Sequence, residues 1–566
     1  MTGAGPAAPA GMARLLPVLS WLPRYDRRWL RGDVIAGVAV TALIVPKNLG
    51  YAGIAGIPLE NGLYAAAAGA LIYAVFCTSR QISTGPSSSL AAVAGGAVIV
   101  TGLGGEEAAQ LVAAIAVLTG LLFLVLALLR MGWIAQFLSK AVVTGFLAGA
   151  AVDVVIGELP KLTGTSSDGD SAWRELGSWL RGLGAVEWTT LAVGAGALAA
   201  ILAIRFLAPA VPGALVLLVG GLLVSAAFDL AAHGVALVGE VPRGLPTPEI
   251  PDPSLVGDHL GVVVIASAAL LLIGFSQTAG DARAFATRHR YRIDVNQESV
   301  AQGMANVGAG LVQGMPVSTS LSASSLNESS GARTPVASLV TGGLVLGTLV
   351  VLAPLFSDLP TAVLGAIIID AVVFGMIDVT EMRRLYRVTR FDFWVAVAAI
   401  VGVLSAGVLA GVLIGIVLSL GWLVYVVTRP RMPLLGMDAG TGVYGEIGDE
   451  QPPGDVAVIR VDGSIFFATA EALEDRVRAI IEAEVPPGVL VLNLEGVNFI
   501  DSQGASALDE ARALTDAAGV ALHLVRVKGP VMRVLEADGV IARIGARRVH
   551  ATIRQAIEAE RTGGAA

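Results

Sequence analysis

The chain has 566 residues, 55% of them hydrophobic and 14% charged, which is too apolar for a soluble globular protein. A formal net charge of −8, with no basic cluster interleaved with aromatics, argues against a nucleic-acid partner. A single Cys77 excludes an internal disulfide and any cysteine-based metal site, and five scattered histidines make no ligand pair at helical spacing. The residues from Met1 to Ser20 are rich in Ala, Gly and Pro without a long apolar core, so no cleaved signal peptide is expected.

Charge is unevenly distributed. Apolar segments fill roughly 33–427, whereas 450–566 has ordinary charge density and reads as a soluble domain. Crossing the hydrocarbon core takes about 17–25 apolar residues. Candidate spans lie near 33–52, 62–78, 87–103, 108–129, 134–158, 188–205, 211–229, 260–280, 296–313, 318–330, 335–356, 360–378, 391–410 and 411–427, about 14 in all. Cations test the count through the positive-inside rule. Arg24, Arg27, Arg28 and Arg31 precede span one. Arg80, Arg130 and Arg205, then the Arg283–Arg292 and Arg383–Arg390 clusters, follow even-numbered spans. The opposite side carries the loops 163–187 and 239–258, which are poor in cations, so both termini are expected on the cytoplasmic side of the cell (inner) membrane.

Seven spans per half would invert the second repeat against the first. Spans three and ten then correspond, and both open on a serine-rich stretch beside a proline: Ser83-Thr84-Gly85-Pro86-Ser87-Ser88-Ser89 and Pro316-Val317-Ser318-Thr319-Ser320-Leu321-Ser322. Non-helical backbone at membrane depth is tolerated only where protein or a watery cavity satisfies it. Two helix N-termini at such breaks offer free N–H groups and positive dipole ends, which suit an anion. The segment 1–31 reads as a cytoplasmic N-terminal stretch, 32–428 as a transmembrane domain and 429–454 as a linker.

In the tail 455–566, strands at Val456–Val461, Val489–Leu494 and Ala521–Val527 alternate with helices at Ala470–Ala483, Ala505–Ala518 and Pro530–Ala537, a small α/β domain. Asp501-Ser502 ends a strand and enters a helix. This is a place for phosphate or a phosphorylated serine, or equally an ordinary N-cap.

Several motifs occur in a fixed order. They are Asn61-Gly62-Leu63-Tyr64, Tyr73, Thr78-Ser79-Arg80 and Gly85-Pro86, then Gly239-Glu240-Val241-Pro242-Arg243-Gly244-Leu245-Pro246 and Ala284-Phe285-Ala286. Tyr291-Arg292-Ile293-Asp294-Val295-Asn296-Gln297-Glu298, Gly314-Met315-Pro316-Val317-Ser318 and Gly331-Ala332-Arg333-Thr334 complete the run. Together they resemble the SulP family of anion transporters, whose animal relatives include pendrin and prestin, from residue 24 to about 560. The tail, with Asn498-Phe499-Ile500-Asp501-Ser502-Gln503-Gly504, resembles a STAS domain. The resemblance implies an α-helical polytopic membrane protein of about 14 spans, in two inverted 7-span repeats with core and gate domains, plus a small cytoplasmic α/β STAS domain. It also implies a homodimer, and a substrate site formed by Lys47, Tyr51, Pro86, Ser87, Gln277, Leu321 and Ser322.

Three positions depart from the family pattern. Lys47 stands where Gln is usual, Ala323 where Arg follows Ser322, and Gln277 where an acid is usual. A lysine at membrane depth costs about 2.5–3.5 kcal/mol on insertion scales, so it must face a cavity, a counter-ion or a substrate. Either Lys47 supplies the fixed positive charge of the anion site, or it pairs with an intramembrane acid, Asp153 or Asp370. Gln277 cannot take up a proton. Asp281, one turn on, is either a displaced coupling acid or a partner of Arg283 or Arg288. Gly407, Gly411 and Gly415, like Gly145 and Gly149, have the spacing of close helix packing within one subunit or of a dimer contact.

These readings point to secondary transport or exchange of a small inorganic or carboxylate anion, with sulfate, bicarbonate, chloride and dicarboxylates all open. A passive channel-like pathway, a nucleobase permease and a non-transporting anion sensor are the competing classes. A cytosolic protein or a nucleotide at the STAS surface is a further candidate partner, beside membrane lipid. Nothing in the chain suggests an enzyme, a cofactor or a metal site.

Overall fold

The computed structural model describes residues 16–130, 139–167, 171–209, 211–239, 244–438, 440, 443–447 and 455–563. Residues 1–15 of the expected segment 1–31, the start of the expected span 134–158, the motif residues Glu240–Arg243 and the end of the expected linker lie outside the described residues. The chain divides into two compact units, 1–419 and 420–566.

The first unit is helical. Its long helices are α1 (Leu30–Ile54), α2 (Leu59–Phe76), α3 (Ser88–Thr101), α4 (Gly105–Leu128), α5 (Lys140–Thr163), α6 (Trp188–Leu207) and α7 (Gly213–Phe228). A second series follows: α8 (Leu260–Arg288), α9 (Val295–Leu311), α10 (Leu321–Ser329), α11 (Val336–Val351), α12 (Thr361–Met376) and α13 (Arg390–Val427). Gly407 breaks α13 with φ 84 and ψ 167, backbone open essentially to glycine alone. The two limbs fold back on each other there. A methyl group on Gly411 would come within 2.2 Å of Val403 Cγ2, and one on Gly402 within 3.1 Å of Gly411 Cα. Counting the two limbs, every expected span has a helix. Span ten has only nine helical residues, because its N-terminal part is extended.

Helix neighbours obey the two-fold relation that pairs span n with span n + 7. α1 packs on α11 as α8 packs on α4, and α2 packs on α11 as α9 packs on α4. α2–α9 and α5–α12 are each their own counterpart. The contact of α5 with the first limb of α13, where Gly145 abuts the Ala396 backbone, answers the α6–α12 contact. Gly145, Gly149, Gly411 and Gly415 therefore serve packing inside one subunit, whereas a methyl on Gly407 would meet nothing within 4 Å among the described residues, and Gly407 serves the break.

The second unit carries a parallel sheet of β5 (Val456–Arg460), β6 (Val489–Asn493), β7 (Ala521–Val525) and β8 (Val549–His550), in that order. Helices α14 (Ala470–Ile481), α15 (Ser502–Ala517), α16 (Gly529–Asp538) and α17 (Ile553–Gly563) alternate with the strands. The first three strands and helices match expectation. β8 and α17 were not expected, since two residues of strand and an amphipathic helix rich in charge leave little apolar signal. The segment expected as a linker also folds. Leu435–Met437 pairs antiparallel with Tyr444–Glu446, Leu434 bridges Ile459, and Leu435 is buried against Val458.

Candidate functional site

Two short strands precede the two half-helices and cross one another. β1 (Thr84–Gly85) pairs antiparallel with β2 (Ser318–Thr319), Thr84 facing Thr319 and Gly85 facing Ser318. The Ser320 N–H donates to the Ser83 carbonyl at 3.0 Å, extending the pair. Pro86 and Pro316 cannot donate to a helix ladder, so the chain stays extended until the serines start a turn. Ser87 caps α3 by accepting from the Leu90 N–H, and Ser320 caps α10 by accepting from the Ala323 N–H. Each cap lies beside the serine two residues on, Ser87 to Ser89 at 3.1 Å and Ser320 to Ser322 at 3.3 Å. The counterpart of Ser87 is thus Ser320, with Ser322 answering Ser89.

Extended backbone inside a bilayer needs partners, and side chains supply them. Asn306 on α9 accepts from the Val317 N–H at 3.0 Å and donates to the Val317 carbonyl at 2.9 Å, with Gln302 donating to that carbonyl at 2.5 Å. Ser324 accepts from the Ser83 N–H at 2.9 Å, Asn327 donates to the Gln81 carbonyl at 3.0 Å and Ser338 to the Ile82 carbonyl at 3.2 Å. Sequence reading missed this amide set. Its signal was present in Gln302 and Asn306, two amides one turn apart where the span is otherwise small and apolar after its polar first turn Asn296–Ser299.

A cavity of about 20 Å³, room for roughly one water, lies at the crossing. Lys47, Asn48 and Tyr51 of α1 line one side, Ser83 to Pro86 another, and Ser320, Ser322 and Ala323 the third. Of the expected site residues, Lys47, Tyr51, Pro86 and Ser322 meet around this cavity. Ser87, Gln277 and Leu321 are not among its lining residues. Ser87 is spent on its cap, and Leu321 is 56% exposed. Gln277 donates from Nε2 to Ser89 Oγ at 3.0 Å, tying α8 to the start of α3, while its Oε1 is buried without a partner.

No hydrogen-bond or ion-pair partner meets the Lys47 ammonium among the described residues. Asp370 on α12 is taken by Arg205 of α6, with both nitrogen–oxygen distances 2.6 Å, and the guanidinium lies 4.3 Å from the Phe374 ring centroid. A direct Lys47–Asp370 pair is therefore not formed. Arg205, counted with the cytoplasmic cations in the sequence, lies in the last turn of α6 and spends its guanidinium on this pair. Asp153 lines a different cavity of about 340 Å³, together with Glu158, Lys161 and Glu175, where Lys161 pairs with Glu158 at 2.7 Å. Asp281 pairs with neither arginine considered for it. It accepts from Thr319 Oγ1 at 2.8 Å, on the crossing strand, and Arg288 pairs with Glu328.

The motif residues outside the cavity build a clamp. Glu298, fully buried, accepts from the Thr78 N–H at 2.7 Å, Thr78 Oγ1 at 2.5 Å, the Ser79 N–H at 2.8 Å, Ser79 Oγ at 3.1 Å and the Tyr73 hydroxyl. Tyr291 accepts from the Arg80 N–H and lies under its guanidinium, 5.1 Å from CZ to ring centroid. Buried Asp33 at the start of α1 accepts from the Arg333 and Thr334 N–H groups and from Thr334 Oγ1. These residues hold the bundle rather than a ligand.

In the second unit, Asp501 caps α15 through Gly504 N–H at 2.7 Å and also accepts from the Phe467 N–H at 3.1 Å. Ser502 beside it is exposed. Elsewhere, His523 on β7 stacks on His550 of β8 with Nδ1 to Nε2 at 3.0 Å, and its Nε2 faces Glu560 of α17 at 3.1 Å. Burial pushes both imidazoles below their usual pKa, most directly opposed at His523 by the Glu560 carboxylate. No cluster of three metal-ligating side chains occurs among the described residues.

The model of the sulfate permease family matches residues 30–399, and that of the STAS domain residues 449–556. A protein of Mycobacterium tuberculosis named a probable sulfate transporter is 34% identical over 546 residues, covering 95% of this chain and 96% of its own. High affinity sulfate transporter 2 of Stylosanthes hamata is 29% identical, covering 97% and 86%. Among solved structures, the murine Solute Carrier 26 family member A9 anion transporter in the inward-facing state superposes with TM-score 0.87 at 22% identity, over 98% of this chain and 96% of that one. The transmembrane domain of a cyanobacterial bicarbonate transporter, BicA, superposes with TM-score 0.61 at 22% identity, over 70% and 99%. These two likenesses concern the fold.

Proposed function

This chain belongs to the sulfate permease family and is a polytopic membrane transporter of anions rather than an enzyme; we propose that it carries one small anion at a time by alternating access, bound between the N-termini of α3 and α10 with Lys47 as the fixed positive charge. The observation that carries this reading is the unpaired Lys47 ammonium at a cavity bounded by both half-helix starts, with Asp370 already engaged by Arg205. An uncompensated cation at membrane depth is costly, and an anion there removes the cost. Backbone N–H groups of the first turns and the serine hydroxyls would donate to its oxygens. Ala323 adds no charge where the family pattern has arginine, so the lysine acts as a point charge without a guanidinium fork.

A core of α1–α4 and α8–α11 moving against a gate of α5–α7, α12 and α13 would expose the cavity to either side in turn. The constriction to about 20 Å³ favours a carrier over an open channel, because a hydrated anion does not pass without rearrangement. We assign a homodimer in the inner membrane with both termini cytoplasmic, on the strength of the cation distribution and the family resemblance. The names of its relatives make sulfate the first substrate to test. Radiolabelled sulfate uptake into proteoliposomes should saturate in wild type and fall at least tenfold in Lys47→Gln, with bicarbonate, chloride, fumarate and uracil as competitors ranking selectivity. Unchanged sulfate affinity in Lys47→Gln would remove the lysine from the site.

A further inference from the structure

Charge at the anion site comes from both moving bodies. α12 lies against the core here: a methyl on Gly50 of α1 would come within 3.0 Å of Ile368 Cγ1, and one on Gly375 within 3.8 Å of Ser88 Oγ at the first turn of α3. Asp370 sits between those two contact points on α12, buried, with both carboxylate oxygens held by Arg205. Arg205 is fixed on its other face by Phe374, one turn beyond Asp370. Lys47 stands one turn before Gly50 on α1 and Asp370 two residues after Ile368 on α12, so the Arg205–Asp370 pair lies one helix away from the lysine. Lys47 and Arg205 each contribute +1 and Asp370 −1, a sum of +1 for these three, while Asp281, held by Thr319 on β2, is the same in every variant below.

We infer that the Arg205–Asp370 pair of the gate sets the charge selectivity of the anion site, with Asp370 holding it at one net positive charge. This rests on the reading of Lys47 as the core-side charge. Arg205 and Asp370 are positioning residues. They need not touch the anion, because a charge one helix away acts through a low-dielectric interior. At an interhelical spacing of about 8–10 Å and an effective dielectric of about 20, one unit charge changes the affinity of a monoanion on the order of tenfold, and that of a dianion by the square of that factor. A site of net +1 matches a monoanion and leaves a dianion such as sulfate half-neutralised. Removing the Asp370 charge tilts preference toward the dianion, and removing the Arg205 charge tilts it the other way. The pair also limits what the unloaded carrier must bury, since Asp370 compensates one of two intramembrane cations.

The test is a charge ladder in proteoliposomes, reading radiolabelled sulfate and radiolabelled bicarbonate uptake on the same preparations. Arg205→Gln gives net 0, wild type +1 and Asp370→Asn +2. The double variant Arg205→Gln with Asp370→Asn returns to +1 with neither side chain charged. The sulfate-to-bicarbonate ratio should rise on the order of tenfold per step, and the double variant should return to within about threefold of wild type. Sulfate- and bicarbonate-dependent thermal stabilisation of the purified protein reads the same ladder for any variant that binds without transporting. A ratio that stays flat across the ladder in proteins that transport or bind would overturn the assignment. So would a double variant that behaves like Asp370→Asn, because the effect would then be contact and not charge. Wild-type protein that neither takes up nor binds either anion would instead overturn the underlying transport reading.

Discussion

Glu298 is the position where a family motif residue can be separated from the substrate site by measurement. Its carboxylate accepts five hydrogen bonds from Tyr73, Thr78 and Ser79, and two of the donors are backbone N–H groups, buried at Ser79 and half-buried at Thr78. Replacing it by Ala leaves those two N–H groups without partners, at about 1–3 kcal/mol each, while the three hydroxyls can turn elsewhere. The loss is then about 2–6 kcal/mol. With an unfolding entropy of about 2.1 cal/mol/K per residue, a unit of 419 residues shifts its Tm by about 1 °C per kcal/mol. Glu298→Ala should therefore melt about 2–7 °C below wild type in detergent. Glu298→Gln should lose less, because the amide oxygen still accepts from Thr78 and Ser79 while the amide nitrogen donates to hydroxyls that reverse their roles. Lys47→Gln, which removes charge but breaks no hydrogen bond or ion pair among the described residues, should melt with wild type and fail in uptake. An Ala variant melting within 1 °C of wild type, or a Gln variant as damaged as Ala, would refute the clamp.

Gly407→Ala forces a side chain into backbone at φ 84 and ψ 167, a cost of about 1–3 kcal/mol, and should lower the yield of monodisperse protein, measured by fluorescence-detected gel filtration. The His523–His550 pair makes the second unit acid-sensitive. Both imidazoles are pushed below their usual pKa, so the unfolded chain binds more protons, and stability is lost as pH falls through the unfolded value of about 6.5 toward the folded ones. Amide exchange in β7, β8 and α17, corrected for its intrinsic pH dependence, should show less protection at pH 5.5 than at pH 7.5. An equal protection at both would contradict the sign.

What the sequence disclosed and what it hid divide by physical scale. Spans were legible because twenty apolar residues in a row have few other uses, and the half-helices because proline and serine interrupt such a run for a reason. The tail was legible where strands are apolar and five residues long, and not at Val549–His550, where two residues carry the edge of the sheet. At the site, Lys47, Tyr51, Pro86 and Ser322 line the cavity, but they were named from the family resemblance, since no spacing along the chain ties α1 to the breaks at Pro86 and Pro316. Ser320 was overlooked beside Ser322, since sequence does not say which serine of a run becomes the cap.

The ionisable residues were hardest to place, because pairing across helices is a property of neighbours and the chain records only order. Arg205 looked like a member of the cytoplasmic cation set, and only the α6–α12 contact turns it toward Asp370. Asp281 looked like a partner for arginines near it in the chain, whereas the crossing of β1 and β2 brings Thr319 to it first. The same crossing separates two kinds of motif. Asn306 satisfies backbone that the break at Val317 exposes, and Glu298 and Asp33 satisfy the turns at Thr78–Ser79 and Arg333–Thr334 on either side of the broken segments. Lys47, Gln277 and Ala323 depart from the pattern at or beside the site, and none of them is needed to satisfy that backbone. Departure from the family pattern without structural cost is what a change in substrate handling should look like, and it makes Lys47, Gln277 and Ala323, with the Arg205–Asp370 pair, the first positions to vary.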